Sequence, residues 1–292
     1  MVMKKSFYYC TLGIINTLLC LLPTFQACKT ETSVTPLTTE RTLYYTPSSH
    51  SVEFDEKLAP APTLSEFWAV DDVDISMLDK NKKHVAFTFD DAPTRHLPEL
   101  TQVFLDFNKN NPDCIASATI FYNGVNLNEY TLPYLKNAYK AGLELGNHTY
   151  SHCDLRTLAS FELEREISLV DEFLEKIDGK PLHLLRAPYG AVNDKVRAVA
   201  KTPILDWSVD TLDWTGISAE EICQRTLDGL EQGGIVLFHD GTDNTVQAIR
   251  TLLPILKEKN YQVVSVSQLS KIHTCPLKNG GLYTRARPNK SK

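Results

Sequence analysis

Two histidines four residues apart, in His148-Thr149-Tyr150-Ser151-His152, can converge on one metal ion if the segment between them is helical or tightly turned. A lone histidine more often makes a structural hydrogen bond, so the pair is the informative feature. Asp90-Asp91 sets two carboxylates side by side after His84-Val85-Ala86-Phe87. Neighbouring side chains at a strand end point different ways, so one can bind a cation while the other acts on water. Paired Asp alone are more often solvated or turn-forming. Leu237-Phe238-His239-Asp240 ends another apolar run with a histidine and an Asp available to orient it, a general acid/base arrangement. Arg186-Ala187-Pro188-Tyr189-Gly190 offers a rigid fork for a carboxylate, with a turn whose backbone N–H can face a ligand. Its plainer reading is a turn that ends a strand. Asp210-Thr211-Leu212-Asp213-Trp214 is the fifth such cluster, and like the others it could be a hydrogen-bonded strand end.

The elements that must position these groups alternate. Short apolar runs at 84–89, 115–121, 143–147, 182–186, 203–208, 234–238 and 262–266 read as strands. Helix-like stretches lie between them, near 96–109, 130–141, 156–178, 192–200, 218–231 and 244–259. Leu163, Ile167, Val170, Leu174 and Ile177 show the spacing of an amphipathic helix. The pattern predicts an α/β fold with a parallel sheet or barrel of about seven strands. Almost every polar cluster begins where an apolar run stops, and catalytic groups gather at the C-terminal ends of parallel strands.

The 292 residues are 42% hydrophobic and 23% charged, which suits one large domain with extensions. Seven of the 30 Lys and Arg lie in 1–28 and 276–292, which hold no acid. The middle therefore carries 23 basic against all 36 acidic residues, a balance that would not be steered towards the phosphates of nucleic acid. Lys4 and Lys5 precede an apolar run from Phe7 to Leu22, short of the roughly 20 residues that span a bilayer comfortably. Residues 1–28 are therefore expected to be a signal peptide. Ala27-Cys28 sits where a bacterial lipoprotein signal would be cut and Cys28 acylated, although Phe25 and Gln26 depart from that pattern. Soluble secretion ranks second and an uncleaved anchor third. Residues 29–65 are expected to be a flexible tether, as Thr, Ser and Pro make up 12 of the 22 residues in 29–50. Residues 276–292 are expected to be a solvated basic tail. Cys114, Cys153, Cys223 and Cys275 lack metal or redox spacing; export permits disulfides among them, and free buried thiols are the equal reading.

Taken together, T-F-D-D, H-T-Y-S-H, R-A-P-Y-G, D-T-L-D-W and L-F-H-D resemble, in order, the five motifs of the polysaccharide deacetylases, carbohydrate esterase family 4. The resemblance runs from about residue 70 to 272. It implies a distorted (β/α) barrel, spanning 66–275, with a shallow groove for a sugar chain. Carried over by position, Asp91, His148 and His152 would hold a divalent metal, zinc first, with cobalt, nickel or manganese as alternatives. Asp90 would be the general base, held in place by Arg186, and the Tyr189 N–H would help stabilise the oxyanion. His239 would be the general acid, oriented by Asp213, with Trp214 and Leu237 packing around the sugar and the acetyl methyl. The implied activity is N-deacetylation of N-acetylglucosamine-containing glycans, peptidoglycan or chitin oligomers, by an exported monomer. O-deacetylation of acetylxylan is the nearest alternative, and an inactive glycan-binding lipoprotein is the rival from another class. Three departures stand out: Ala92 where the family usually has Gly, Cys153 where Pro is common, and an insertion at Asn108 to Asp113 expected to lie beside the groove.

Overall fold

A computed structural model of the chain describes residues 65–287. The expected signal peptide, Cys28, all but the last residue of the expected tether, and residues 288–292 lie outside the described residues. Nine strands form one sheet: β1 Lys83–Ala92, β2 Thr119–Tyr122, β3 Glu144–Asn147, β4 Leu184–Leu185, β5 Ile204–Leu205, β6 Val209–Asp210, β7 Ile235–His239, β8 Tyr261–Val264 and β9 Leu282–Tyr283. Their order is β6-β7-β1-β2-β3-β4-β5-β9, with β8 paired to the first half of β1. All strand pairs are parallel. Seven helices connect them: α1 Leu97–Asn110, α2 Leu132–Lys140, α3 Ser160–Asp178, α4 Asp194–Val199, α5 Ala219–Asp228, α6 Asp243–Glu258 and α7 Val266–Ile272.

The strand period of two separates the inside of the barrel from the outside. In β1, Val85, Phe87 and Phe89 face outward into the main core, against Leu100, Phe104, Ile249 and Leu253 of α1 and α6. Ala86 faces inward, into a smaller core with Phe121, Leu184, Leu205, Ile235 and Val264. Thr88 and Asp90 share that inward parity and end on the upper, polar half of the interior. Local chemistry sets the helix starts: Ser218, Thr242 and Ser265 accept the exposed backbone N–H groups that open α5, α6 and α7. Gly179 ends α3 in the left-handed region at φ 75°.

Four differences from the sequence expectations have physical causes. β6 and β9 are two-residue strands, too short to leave a period. α7 hides behind an apolar run that reads as one strand, and its start is marked by the reciprocal Ser265–Gln268 cap. Residues 276–287 are not a solvated tail. Leu277 and Ala286 are fully buried, β9 pairs β5, Arg285 bridges Gly234 at the foot of β7, and Glu231 pairs with both Arg285 and Arg287. The segment fills the wedge where the chain leaves β5 to join β7. Of the charges that suggested a tail, Arg285 and Arg287 meet Glu231 and Lys278 meets Glu66. Asn108 to Asp113 also lies away from the groove. It ends α1, where Lys257 in the last turn of α6 binds Asn111 and Asp113. Helices that follow parallel strands return their C-termini to the strand starts, so this insertion sits at the opposite end of the barrel.

Ala92 is accommodated as a fully buried core residue in β1. All four cysteines among the described residues are free, and Cys153 packs with Leu155 and Leu163.

Candidate active site

The five clusters meet at the C-terminal ends of the strands. β1 carries Asp90 to the position opposite His239 on β7. Its pairing with β2 then shifts between Phe89 and Ala92, and Asp91 takes φ 63°. That turn sends the two carboxylates apart: Asp90 is 4% exposed, while the Asp91 side chain is 43% exposed. Thr149, His152, Tyr189 and Leu212 also have left-handed backbones. With Asp91, near the end of β1, they make five of the seven non-glycine residues in that region among the described residues, all around this site. Strain concentrated in this way is a mark of functional sites.

One oxygen of Asp91 lies 3.6 Å from Nε2 of His148 and 3.3 Å from Nε2 of His152. Ligand atoms of the three residues all fall within 4.8 Å of one another. The donor chemistry fits a divalent metal. Nδ1 of His148 lies 2.9 Å from the Arg186 carbonyl, which can only accept, so Nδ1 carries the proton and Nε2 keeps a free lone pair facing Asp91. Burial, opposed by the Asp90 and Asp91 charges, holds the His148 pKa below 6.5, so the imidazole is neutral as a ligand must be. Nδ1 of His152 is 3.2 Å from the Tyr189 hydroxyl.

Arg186 is fully buried inside the barrel. It donates to Thr88 Oγ1 at 2.7 Å, to Asp90 Oδ1 at 2.9 Å, and to the carbonyls of Leu205 and Asp206 at 3.2 Å each. Its guanidinium lies over the Phe121 ring, 4.4 Å from the centroid. For Asp90, burial pushes the pKa up, but the Arg186 and His239 charges and the Arg186 hydrogen bond outweigh it. The net shift is below 3.8, so the carboxylate is an anion. Its second oxygen lies 3.7 Å from His148 Nε2, beside the metal ligands.

His239 is held the other way. Asp213, 1% exposed, accepts from His239 Nδ1 and from the His239 amide at 2.8 Å each, and from Thr245 Oγ1 at 2.8 Å. Burial lowers the His239 pKa, but the Asp213 hydrogen bond and the Asp90, Asp213 and Asp91 charges overcome it, leaving the pKa above 6.5. Nε2 of the ring stays free for a reacting group. Asp240, the sequence neighbour, does not orient this histidine. It accepts from the Thr94 amide at 2.7 Å, and burial pushes its pKa up to about 6.

Leu237 shares the inward parity of His239 and is 3% exposed, whereas Trp214 is 61% and Tyr189 71% exposed on the rim. The Tyr189 amide has no acceptor among the described residues, which leaves it as a free donor beside His152. The predicted site residues thus gather at the C-terminal ends of the strands, with Asp90, Arg186 and Asp213 buried and Tyr189 and Trp214 exposed. A cavity of about 420 Å3 lined by Trp68, Glu144 and Gln268 lies at the strand starts and holds none of them. Sequence reasoning missed Thr88, Thr245 and Asn147. Thr88 was legible as the inward neighbour of Asp90 two positions away. Thr245 bonds Asp213 across 32 residues, a contact without a local signal. Asn147 caps the metal loop through the Thr149 amide and is held in turn by buried Asp171.

Comparison with known proteins agrees with this geometry. Residues 78–203 match the family model described as polysaccharide deacetylase. The chain is 36% identical over 198 residues to a peptidoglycan-N-acetylglucosamine deacetylase of Bacillus cereus, covering 65% of this chain and 89% of that one. It is 33% identical over 195 residues to the peptidoglycan-N-acetylmuramic acid deacetylase PdaC of Bacillus subtilis. That match covers 67% of this chain and 40% of the relative, so the chain spans well under half of PdaC. A solved structure of PdaC superposes with a TM-score of 0.61 and 33% identity, over 68% of this chain and 94% of the solved one.

Proposed function

The chain belongs to the polysaccharide deacetylase family, and from that premise we propose that it is an exported, metal-dependent hydrolase that removes N-acetyl groups from N-acetylglucosamine-containing glycans. One observation carries the reading. Asp90 and His239, facing each other on neighbouring strands, are pushed in opposite directions, the Asp90 carboxyl below its ordinary pKa and the His239 imidazole above its own. Two titratable groups driven apart in this way are suited to be base and acid of one reaction.

An acetamide is unreactive, and its amine leaves only when protonated. Asp90, fixed by Arg186, takes a proton from the attacking water as oxygen bonds to the acetyl carbon. The Tyr189 amide donates to the carbonyl oxygen as it gains charge. His239, oriented by Asp213, then gives its Nε2 proton to the glycan nitrogen while the carbon–nitrogen bond breaks, yielding acetate and a free amine. Asp91, His148 and His152 would hold the divalent metal, which when bound supplies Lewis-acid polarisation of the carbonyl and a more acidic water. Zinc suits two imidazoles and a carboxylate. Leu237 would line the pocket for the acetyl methyl, and Trp214 would pack on the sugar.

We place 1–28 as signal peptide, with Cys28 as lipid attachment point at a bacterial cell envelope, and take the protein as a monomer. None of the described helices is long and apolar enough to cross a membrane. The catalytic domain extends to 287, since β9 completes the sheet.

Acetate release from chitin oligomers, peptidoglycan and acetylated xylan, with zinc-loaded protein and an Asp90→Asn control, tests the reading. Release from a glucosamine polymer, abolished in the control, is expected. Release from xylan alone would move the activity to ester bonds.

A further inference from the structure

The rim holds an exposed aromatic residue that the reaction above does not use. Tyr150 sits between the metal-ligand candidates His148 and His152, and it is 42% exposed. Its backbone is clamped on both sides. The Tyr150 amide donates to the Glu166 carbonyl at 2.9 Å, and its carbonyl accepts from the Val125 amide at 2.8 Å. Ser151 N–H is anchored on the Glu166 carboxylate at 2.7 Å.

The ring rests on a glycine. A Cβ at Gly124 would lie 2.3 Å from Cδ2 and 2.8 Å from Cγ of Tyr150, closer than atoms can approach. Gly124 does not have a left-handed backbone, so the absent side chain serves this close approach rather than the turn itself. The turn beneath the ring is also tied to the metal site, since Asn126 Nδ2 donates to the Asp91 carbonyl at 3.0 Å. Val125, 58% exposed, extends the apolar surface on the same turn. The backbone that carries the ring is thus held on both sides, the Cγ–Cδ2 edge packs against Gly124, and the residue is partly exposed. It stands on the β2 and β3 loops, whereas Trp214 stands on the loop after β6.

We propose that Tyr150, seated on Gly124, is a stacking subsite for a sugar ring of the same glycan chain other than the residue being deacetylated. The inference rests on the deacetylase reading and adds a chain-length requirement to it. The C–H face of a pyranose meets the negative face of the phenol ring, and a ring fixed by its backbone loses little freedom on binding. The occupant is the substrate chain rather than a separate partner, because Tyr150 stands between His148 and His152 in sequence and the turn beneath it is tied to Asp91.

The test compares wild type, Tyr150→Ala and Tyr150→Phe on N-acetylglucosamine oligomers of two to six units. The expected result is that the ratio of kcat/KM for the pentamer to that for the dimer falls about tenfold in Tyr150→Ala and is restored in Tyr150→Phe. Equal loss at every length, or none, would overturn the subsite. If wild type releases no acetate from any oligomer, the reaction assignment fails separately. Pentamer binding to Asp90→Asn protein, measured by calorimetry with and without Tyr150→Ala, then decides the subsite. Binding weakened about tenfold supports it, and equal affinity, or no binding to either protein, overturns it.

Discussion

Replacing Asp213 by Asn removes one charge and little volume, so it isolates what that carboxylate does to His239. The bond between them is 2.8 Å long, and Asp213 is 1% exposed, which limits screening by water. Hydrogen bonds to a charged group contribute roughly 1.5–3 kcal/mol. At 1.36 kcal/mol per pH unit this lowers the His239 pKa by about one to two units. The sign follows from the acid role: a proton donor is active below its pKa, so lowering that pKa draws in the alkaline limb. The assay is kcat/KM for acetate release from the N-acetylglucosamine pentamer between pH 5 and 9. The alkaline limb is expected to move down by about one to two units, while the acidic limb, set by Asp90 with its pKa held below 3.8, lies below this range. The loss should then be about 10- to 100-fold at pH 8 and much smaller near pH 5.5. A uniform drop across the profile, or an unmoved alkaline limb, would refute the assignment of Asp213 to tuning His239.

Arg186→Met leaves the buried Asp90 carboxylate without its cation, so urea unfolding should show a loss of roughly 3–5 kcal/mol, and the acidic limb of any remaining activity should move up. Chelation, or His148→Ala, should abolish acetate release, with zinc restoring the chelated wild type but not the variant at equal concentration; isothermal titration of zinc reads the affinity directly. Burial and the neighbouring His273 hold the His84 pKa at about 4, below its ordinary 6.5. The neutral form is therefore the folded one, and its contribution is complete above pH 6.5 and is lost as pH falls through 6.5 towards 4. Thermal midpoints across that window should fall more steeply in wild type than in His84→Asn. Truncation after Cys275 uncovers the wedge between β5 and β7 and should lower the thermal midpoint sharply.

The sequence by itself determined the alternation of strand and helix, because each strand's apolar run and each amphipathic helix carries its own period. It also placed the reacting groups, since a polar cluster that begins where a buried strand stops can only lie at the mouth of a parallel sheet. Its local reading of His239 and Asp240 could not choose the orienting carboxylate. Side chains of consecutive residues diverge, and tertiary structure gave His239 to Asp213 and turned Asp240 towards Thr94. The opposite pKa shifts of Asp90 and His239 likewise arise only where β1 lies beside β7 and Arg186 bonds Asp90 inside the barrel. Residues 276–287 show the same limit from the other side. Composition described them as a charged tail, but the value of Leu277, Ala286 and β9 depends on a gap between β5 and β7 that forms only when the sheet curls. Period and composition are properties of neighbours along the chain, while charge state and burial depend on what packs against a residue from far away in it.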